Sequence, residues 1–442
     1  MILISAGFKG SIAFMSLAIC TRLPAHAGLH TLFFDQNTTR PTVVMSEHTL
    51  HSCHPADTAA PTIAIIGGGL TGLFTATLLE RVFGHTPAAQ PMPQLTIFEK
   101  SRSVGRLATR YRCDSQTHKN WQWAFGAQFF TAKTASFQQF IAPWLDMGTI
   151  QPWCANVVEL TTAHTAGQRP STIKKERWNT EQARYISTPK MTSWGRALAG
   201  GLQHTTMRFQ TRVAPLVQYT EPAAGENKQQ TKQKTELFDE AGHSLGLFDW
   251  VICTAPNVQA AELMAGSDFD KQESISTIKM QACYTLMLGW NEGQALPAAL
   301  TDAEDGGRWD VAYVNDSIID RIFIEQRKPA HETLLPSITI HARNDWSEQQ
   351  VDEEIGPVQA ALLTAAQHAL GWDDACAPTQ IDCHRWRYAA TRSDAQTPAQ
   401  GVLTDASRQW IVSGDWCGQG NIESCYHMAQ QTAELICAAL AG

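Results

Sequence analysis

Eleven cysteines are spread along the 442 residues without one Cys-x-x-Cys pair, so the spacings that hold zinc or an iron–sulfur cluster are missing. No Cys-x-x-x-x-Cys pair stands near residue 100 either, which excludes a redox-active dithiol at that place. The expectation is a set of reduced, mostly buried thiols and no metal. Long apolar runs are also lacking. None approaches the roughly 18 to 20 residues that cross a bilayer, so no membrane span is expected. Positive charge is scarce: 34 Lys and Arg stand against 42 Asp and Glu, a net charge of -8. A general nucleic-acid binder needs a basic face toward the phosphates, and no nucleic-acid partner is expected here. A small anionic ligand can still be met by a few local arginines. No internal repeat is evident.

What is present is the composition of a globular protein, with 43% hydrophobic residues, 17% charged, 30 Gly and 20 Pro. The length suits two interleaved domains. Residues 1–60 read as a leader outside the folded part. Lys9, the stretch SIAFMSLAIC and Ala25-His26-Ala27 resemble an export signal. Against this, Met45 precedes a polar segment that runs straight into the first strand, as an internal start would. The second reading implies a cytoplasmic protein, the first an exported one.

The segment TIAIIGGGLTGLFTATLLERVFG combines a β-branched strand, a glycine turn and an apolar helix. That is the context in which Gly67, Gly69 and Gly72 form a G-x-G-x-x-G dinucleotide fingerprint. Gly67 permits the tight turn, Gly69 lets a pyrophosphate approach the backbone, and Gly72 lets helix and strand pack closely. The pyrophosphate would sit at the helix N-terminus, at Leu70 and Thr71, where unpaired amides and the helix dipole favour negative charge. A second strand, LTIFEK, ends in Glu99 and Lys100. Glu99 is the expected partner of the ribose hydroxyls, farther on than the usual ~20 residues. The Pro-rich stretch HTPAAQPMPQ supplies the extra length as a loop. Only one complete fingerprint exists, so no second dinucleotide domain is expected, and electrons must come from a substrate that reaches the cofactor directly.

After Glu99 the run KSRSVGRLATRY resembles the G-G-R-x-x-T element of amine-oxidase-like flavoproteins, with Gly105, Arg106, Thr109 and Arg110 in matching places and Val104 replacing the first glycine. WAFGAQFFTAKT resembles the G-A-Q-[FY] segment of renalase and its bacterial relatives, here Gly126, Ala127, Gln128 and Phe129, with Ala124 where an acid is common. The order continues through RFQTRVAPLV, FDWVICTAPNVQA, QACYTLMLGW, CHRWRYA and RQWIVSGDWCGQGNIESCYHMAQQTAELICAAL, so the resemblance runs from about residue 61 to the C-terminus.

The resemblance implies a Rossmann-like FAD-binding domain of the glutathione-reductase/amine-oxidase type, an α/β fold whose substrate region is an interleaved α+β domain with a mixed sheet. The FAD domain is expected over 61–135, 188–265 and 385–442, and the substrate domain over 136–187 and 266–384. It implies non-covalent FAD held by the fingerprint, by Arg106, Gly126, Ala127 and Gln128, by the backbone of Val213 in a strand, by Gly414 and Asp415, and by the start of the last helix at Asn421 and Ile422. On its own, Asp415 also suits a helix cap.

The resemblance further implies oxidation of dihydro-isomers of NAD(P)H, with hydride passing to flavin N5 and dioxygen as acceptor. No acid–base residue is required, because a dihydropyridine gives up hydride without prior deprotonation. Phe129, Trp386, Arg387 and Tyr388, with His384 and Arg385, are expected contacts of such a phosphate-bearing substrate. A plain core strand with the arginines alternating to solvent is the other reading of CHRWRYA. Amine oxidation on the same fold is the second enzyme reading, with aromatic walls from Phe129, Trp290, Trp386, Tyr388 and Trp416. A non-catalytic binding protein on this fold is the third, disfavoured by the presence of Glu99, Arg106 and Asp415.

Overall fold

The computed structural model describes residues 60–85, 91–161, 171–216, 234–301, 308–392 and 399–441. The leader, half of the HTPAAQPMPQ loop and most of EPAAGENKQQTKQKTE lie outside them. Among the described residues the chain runs β1 (Thr62–Ile66), α1 (Leu70–His85), β2 (Gln94–Glu99), β3 (Thr109–Cys113), β4 (Asn120–Ala124), β5 (Phe130–Thr131), α2 (Ala135–Asp146), β6 (Ile150–Pro152), β7 (Asn156–Thr161), β8 (Ser171–Arg177), β9 (Arg184–Ser187), α3 (Met191–Gly201) and β10 (Thr205–Phe209). It continues through β11 (Thr235–Phe238), β12 (Ser244–Phe248), β13 (Trp250–Cys253), α4 (Asn257–Met264), α5 (Gln272–Thr277), β14 (Met280–Gly289), β15 (Val311–Asn315), β16 (Ile319–Ile324) and β17 (Ser337–Ala342). The last elements are α6 (Asn344–Gln349), α7 (Ile355–Leu370), β18 (Gln380–Thr391), β19 (Leu403–Asp405), β20 (Trp410–Val412) and α8 (Ile422–Ala441).

Two sheets organise these elements. The first has the order β10-β2-β1-β13-β20-β19 and is parallel except for its β19 edge. Its inner strand β1 is apolar on both faces: Ile63, Ala64 and Ile65 are fully buried, as expected where both sides of a parallel sheet are covered. On one side α1 and α8 pack together through Leu73, Phe74, Ala429 and Ile436. Phe74 meets Phe140 edge-on at 5.0 Å between ring centroids, and Phe130 stacks on Trp194 at 5.0 Å. The second sheet, β18-β14-β17-β16-β15-β7-β8, is antiparallel except for the β15–β7 pair. Its outer face is covered by α7 through Val358, Leu362 and Ala366. The fold is therefore mixed α/β, with a parallel and a largely antiparallel sheet, in line with the sequence reading.

The division between the two parts differs from the expected boundaries at two places. The boundary at 384/385 falls inside β18, whose ladder with β14 continues to Thr391. Continuous strand pairing keeps this segment in the second sheet. Helix α2, expected with the substrate part, packs on the first part instead: Phe137 stacks on Tyr426 of α8 at 5.2 Å. Its apolar face finds a larger aromatic cluster there. Among the described residues no helix is long and apolar enough to cross a membrane. No group of three or more metal-binding side chains occurs among them.

Candidate active site

A cavity of about 1330 Å³ opens between the first sheet and the inner face of the second. This exceeds the ~300 to 1,000 Å³ of a pocket for one drug-sized ligand. Its floor is the glycine turn after β1. Gly67 has φ +118°, and a Cβ there would lie 2.6 Å from the Thr254 hydroxyl oxygen. A Cβ on Gly69 would meet nothing within 4 Å, because that position faces the open cavity. A Cβ on Gly72 would lie 2.2 Å from the Gly67 carbonyl oxygen. Gly72 thus packs helix against turn and does not line the cavity, as its fingerprint role requires. Leu70 and Thr71, at the start of α1, line the cavity wall.

Glu99, 8% exposed, ends β2 beside this turn. One carboxylate oxygen accepts from the Gly68 amide at 2.8 Å, the other from the Ser101 amide and hydroxyl at 2.8 and 2.6 Å. Lys100 donates to Gln259 at 2.8 Å, and burial with the nearby Arg212 charge lowers its pKa. Val213 lines the cavity but lies beyond β10, which ends at Phe209; Gln210 then adopts φ +53°, and Val213 forms an isolated bridge to Asp239. The expected strand over RFQTRVAPLV is thus cut short by a left-handed turn.

Arg106 and Asp415, which bond at 2.6 Å, also line the cavity. Arg106 also donates to the Tyr388 and Ala389 carbonyls at 3.3 and 3.1 Å. Burial alone would lower the guanidinium pKa; the Asp415 charge and hydrogen bond outweigh it and raise it. Asp415 does not cap α8. That role belongs to Asn421, whose side-chain oxygen accepts from the Ser424 amide at 2.8 Å, three residues on, as an N-cap does. Ile422 and Glu423 follow at the cavity wall. Glu423 accepts from the Lys133 and Thr134 amides at 3.0 and 2.7 Å and so ties the start of α8 to the start of α2. Gly414 does not line the cavity: a Cβ there would sit 2.5 Å from the Trp416 indole nitrogen, so it serves close packing.

Gly126, Ala127 and Phe129 line the cavity, while Gln128, expected beside them as a cofactor contact, is turned away from it and buried. Its amide oxygen accepts from the Lys328 ammonium at 2.7 Å. Phe125 to Ala127 and Phe129 to Thr131 all line the cavity, and Gln128 alone takes the interior side, where it meets the buried Lys328. Lys328 and Glu325 are both fully buried and bond at 2.7 Å. Glu325 accepts as well from the Thr339 hydroxyl and the Ala124 amide. Sequence analysis singled out none of these residues, because nothing local in EQRKPAHE marks it as core.

The antiparallel sheet supplies the remaining wall. Cross-strand pairing aligns His384 with Thr285, Thr285 with His341, and His341 with Arg321. All four line the cavity. Burial, with the Arg110 charge, lowers the His384 pKa to about 4, and burial, with Arg321 and Lys328, lowers that of His341 to about 3. Both rings are neutral at physiological pH. Trp386 donates to the Phe125 carbonyl at 2.8 Å and stacks on the Phe125 ring at 5.4 Å. Arg385 donates to the Val351 and Glu353 carbonyls, and Arg387 pairs with Asp352 at 2.8 Å near the surface. Trp386, Arg387 and Tyr388 all contribute to the cavity lining. Trp290 and Trp416, expected as aromatic walls, are fully buried in the core and neither lines the cavity.

No family model matches the chain. Solved structures do resemble it. A protein described as a candidate protoporphyrinogen oxidase from Exiguobacterium sp. 255-15 aligns over 86% of this chain and 99% of its own, with TM-score 0.59 at 13% identity. A putrescine oxidase bound to putrescine aligns over 86% and 100%, with TM-score 0.56 at 11% identity. Cyclohexylamine oxidase from Brevibacterium oxydans IH-35A aligns over 87% and 100%, with TM-score 0.59 at 10% identity. The fold of this chain is the one these oxidases share.

Proposed function

We propose that the protein is an FAD-dependent oxidoreductase that binds FAD non-covalently and oxidises a small reduced substrate with dioxygen as the acceptor. The observation that carries this reading is the Arg106–Asp415 pair, which lines the same cavity as the open Gly69 position. A packing turn has no use for a gap above Gly69 or for a charged pair beside it. The amide ends of α1 and α8 both reach the cavity wall, and each would favour negative charge on a bound dinucleotide. Glu99 would hold the ribose, and Arg106 with Asp415 the pyrophosphate and ribityl region. FAD held by these residues would supply hydride acceptance from the substrate and, with one proton, two-electron reduction of dioxygen to hydrogen peroxide. The lining cysteines do not suit covalent attachment: burial pushes the Cys283 and Cys425 thiols up to about 12, which leaves almost no thiolate to react.

For the substrate, a dihydro-isomer of NAD(P)H is the reading we favour, and neutral polar groups on the second sheet support it. Arg387, near the mouth, would meet a phosphate. Amine oxidation is supported by the stacked Phe125–Trp386 pair and by the oxidases that share the fold. Anaerobic stopped-flow mixing of the purified protein with dihydro-NAD(P) isomers, ordinary NAD(P)H and a panel of amines separates the two. Flavin bleaching by the isomers alone, with peroxide on readmitting air, is the expected result. Bleaching by amines alone replaces it with the second reading, and a protein that purifies without flavin and takes up none removes both.

A further inference from the structure

The orientation of Gln128 has a chemical consequence inside the cavity. Its amide nitrogen faces the carbonyl oxygens of Ala124 and Gly126, and its amide oxygen faces the Lys328 ammonium. Reversing the amide would set oxygen against two carbonyls and NH2 against an ammonium, so the orientation is settled by three contacts at once. The same nitrogen lies 3.2 Å from His341 Nε2. One of the two amide protons goes to the Ala124 carbonyl; the Gly126 carbonyl is the longer contact of the other at 3.4 Å, and since the amide nitrogen cannot accept, the His341 Nε2 that faces it is taken as the unprotonated nitrogen. A neutral imidazole then holds its single proton on Nδ1. Among the described residues that ring makes no other hydrogen bond; it meets the Phe323 ring edge-to-face at 5.4 Å, with the Arg321 and Lys328 charges nearby.

Directly across from His341 on the neighbouring strand stands Thr285. Such cross-strand neighbours have Cβ atoms ~4.5 to 5.5 Å apart. The Thr285 hydroxyl donates its proton to the Phe125 carbonyl at 2.9 Å. Its oxygen is left with lone pairs only. The cavity wall thus presents one N–H donor beside one hydroxyl acceptor, both on neutral groups.

We propose that Thr285 and His341 read a primary carboxamide of the substrate, with Gln128 as the positioning residue that holds His341 as its Nδ1–H tautomer. The carbonyl oxygen accepts from His341 Nδ1, and the amide NH2 donates to Thr285 Oγ1. An alkylammonium group has no acceptor to offer His341 and would leave that donor unpaired. This assignment rests on the reading that the cavity takes a dihydronicotinamide substrate, since a nicotinamide carries such a carboxamide.

The test has two arms on the FAD-loaded protein. In the first, nitrogen-15 NMR of histidine-labelled protein reads the tautomer of His341, assigned by its loss in His341→Asn. The proton is expected on Nδ1, and moves to Nε2 in Gln128→Glu, whose carboxylate can only accept; a merely structural Gln128 would leave the tautomer unchanged. In the second arm, calorimetric titration compares nicotinamide with benzylamine. Nicotinamide should bind about tenfold more weakly to Thr285→Val and to Gln128→Glu, as loss of one hydrogen bond gives, and recover in Thr285→Ser, while benzylamine is unaffected. A native Nε2–H tautomer, or equal nicotinamide affinity in Thr285→Val, overturns the proposal. If both arms succeed while dihydronicotinamides fail to bleach the flavin, the carboxamide pair stands and the choice of reducing substrate falls.

Discussion

Arg106 and Asp415 stand 309 positions apart in the chain and 2.6 Å apart in the fold. The pair joins the loop after β2 to the turn before α8, and the Arg106 side chain, which lines the cavity, stays 31% exposed. Asp415→Ala should lower FAD affinity by about 10- to 100-fold, the effect of roughly 1.4 to 2.8 kcal/mol, without unfolding the second sheet. The ratio of flavin to protein absorbance after dialysis, beside far-ultraviolet circular dichroism, measures both. Undiminished flavin content would remove Asp415 from the cofactor site.

The glycines of the fingerprint should separate by function. Gly72→Ala forces a methyl group to 2.2 Å from the Gly67 carbonyl and should cost about 1 to 3 kcal/mol of stability, seen as a lower thermal midpoint. Gly69→Ala meets no protein atom and should leave the FAD-free midpoint nearly unchanged while weakening FAD binding. Equal thermal shifts in the two FAD-free variants would contradict the assigned division of roles.

Breaking the buried pair should be costly. Lys328→Met leaves the Glu325 carboxylate uncompensated in a fully buried site, a loss of about 3 to 5 kcal/mol. Adding Glu325→Gln should restore part of it, because removal of both charges also removes the desolvation cost. Chemical denaturation of the single and double variants gives the comparison; a double variant as weak as Lys328→Met alone would mean that the hydrogen bonds matter more than the charge.

Acid stability should depend on Glu423. Burial alone would raise its pKa, but the Thr134 and Lys133 amides and the Thr134 hydroxyl outweigh it and hold the carboxyl below its ordinary 4.5. The unfolded chain therefore binds a proton here more readily than the folded one. The stabilisation is complete above pH 4.5 and is lost as pH falls through the lower folded value. Glu423→Gln should flatten that part of the stability profile, at a cost of about 1 to 3 kcal/mol at neutral pH, as read by denaturant midpoints between pH 3 and 7.

Arg387 pairs with Asp352 at the surface, with the two side chains 46% and 83% exposed. Such a pair contributes about 0 to 1 kcal/mol, so Arg387 can exchange Asp352 for a substrate phosphate at little cost. Arg387→Ala should raise the apparent KM for a phosphate-bearing substrate more than it lowers kcat, and should weaken the salt dependence of KM. Identical salt profiles would return Arg387 to the solvated face.

Local chemistry determined the parts of this protein that depend on one stretch of chain. A β-branched strand, a glycine turn and an apolar helix specify Gly67, Gly69 and Gly72 because each glycine answers a constraint set within six residues. Asn421 and the start of α8 follow from capping at the same range. Tertiary structure alone decided the rest. Gln128 reads as a neighbour of the cofactor until a lysine 200 positions away claims its amide oxygen and turns it inward. Glu325 and Lys328 look like surface charges because their burial comes from strands that the local sequence does not encode. The alignment of His384, Thr285, His341 and Arg321 exists only through strand register, and register is set by how whole faces of a sheet bury, which no single segment can reveal.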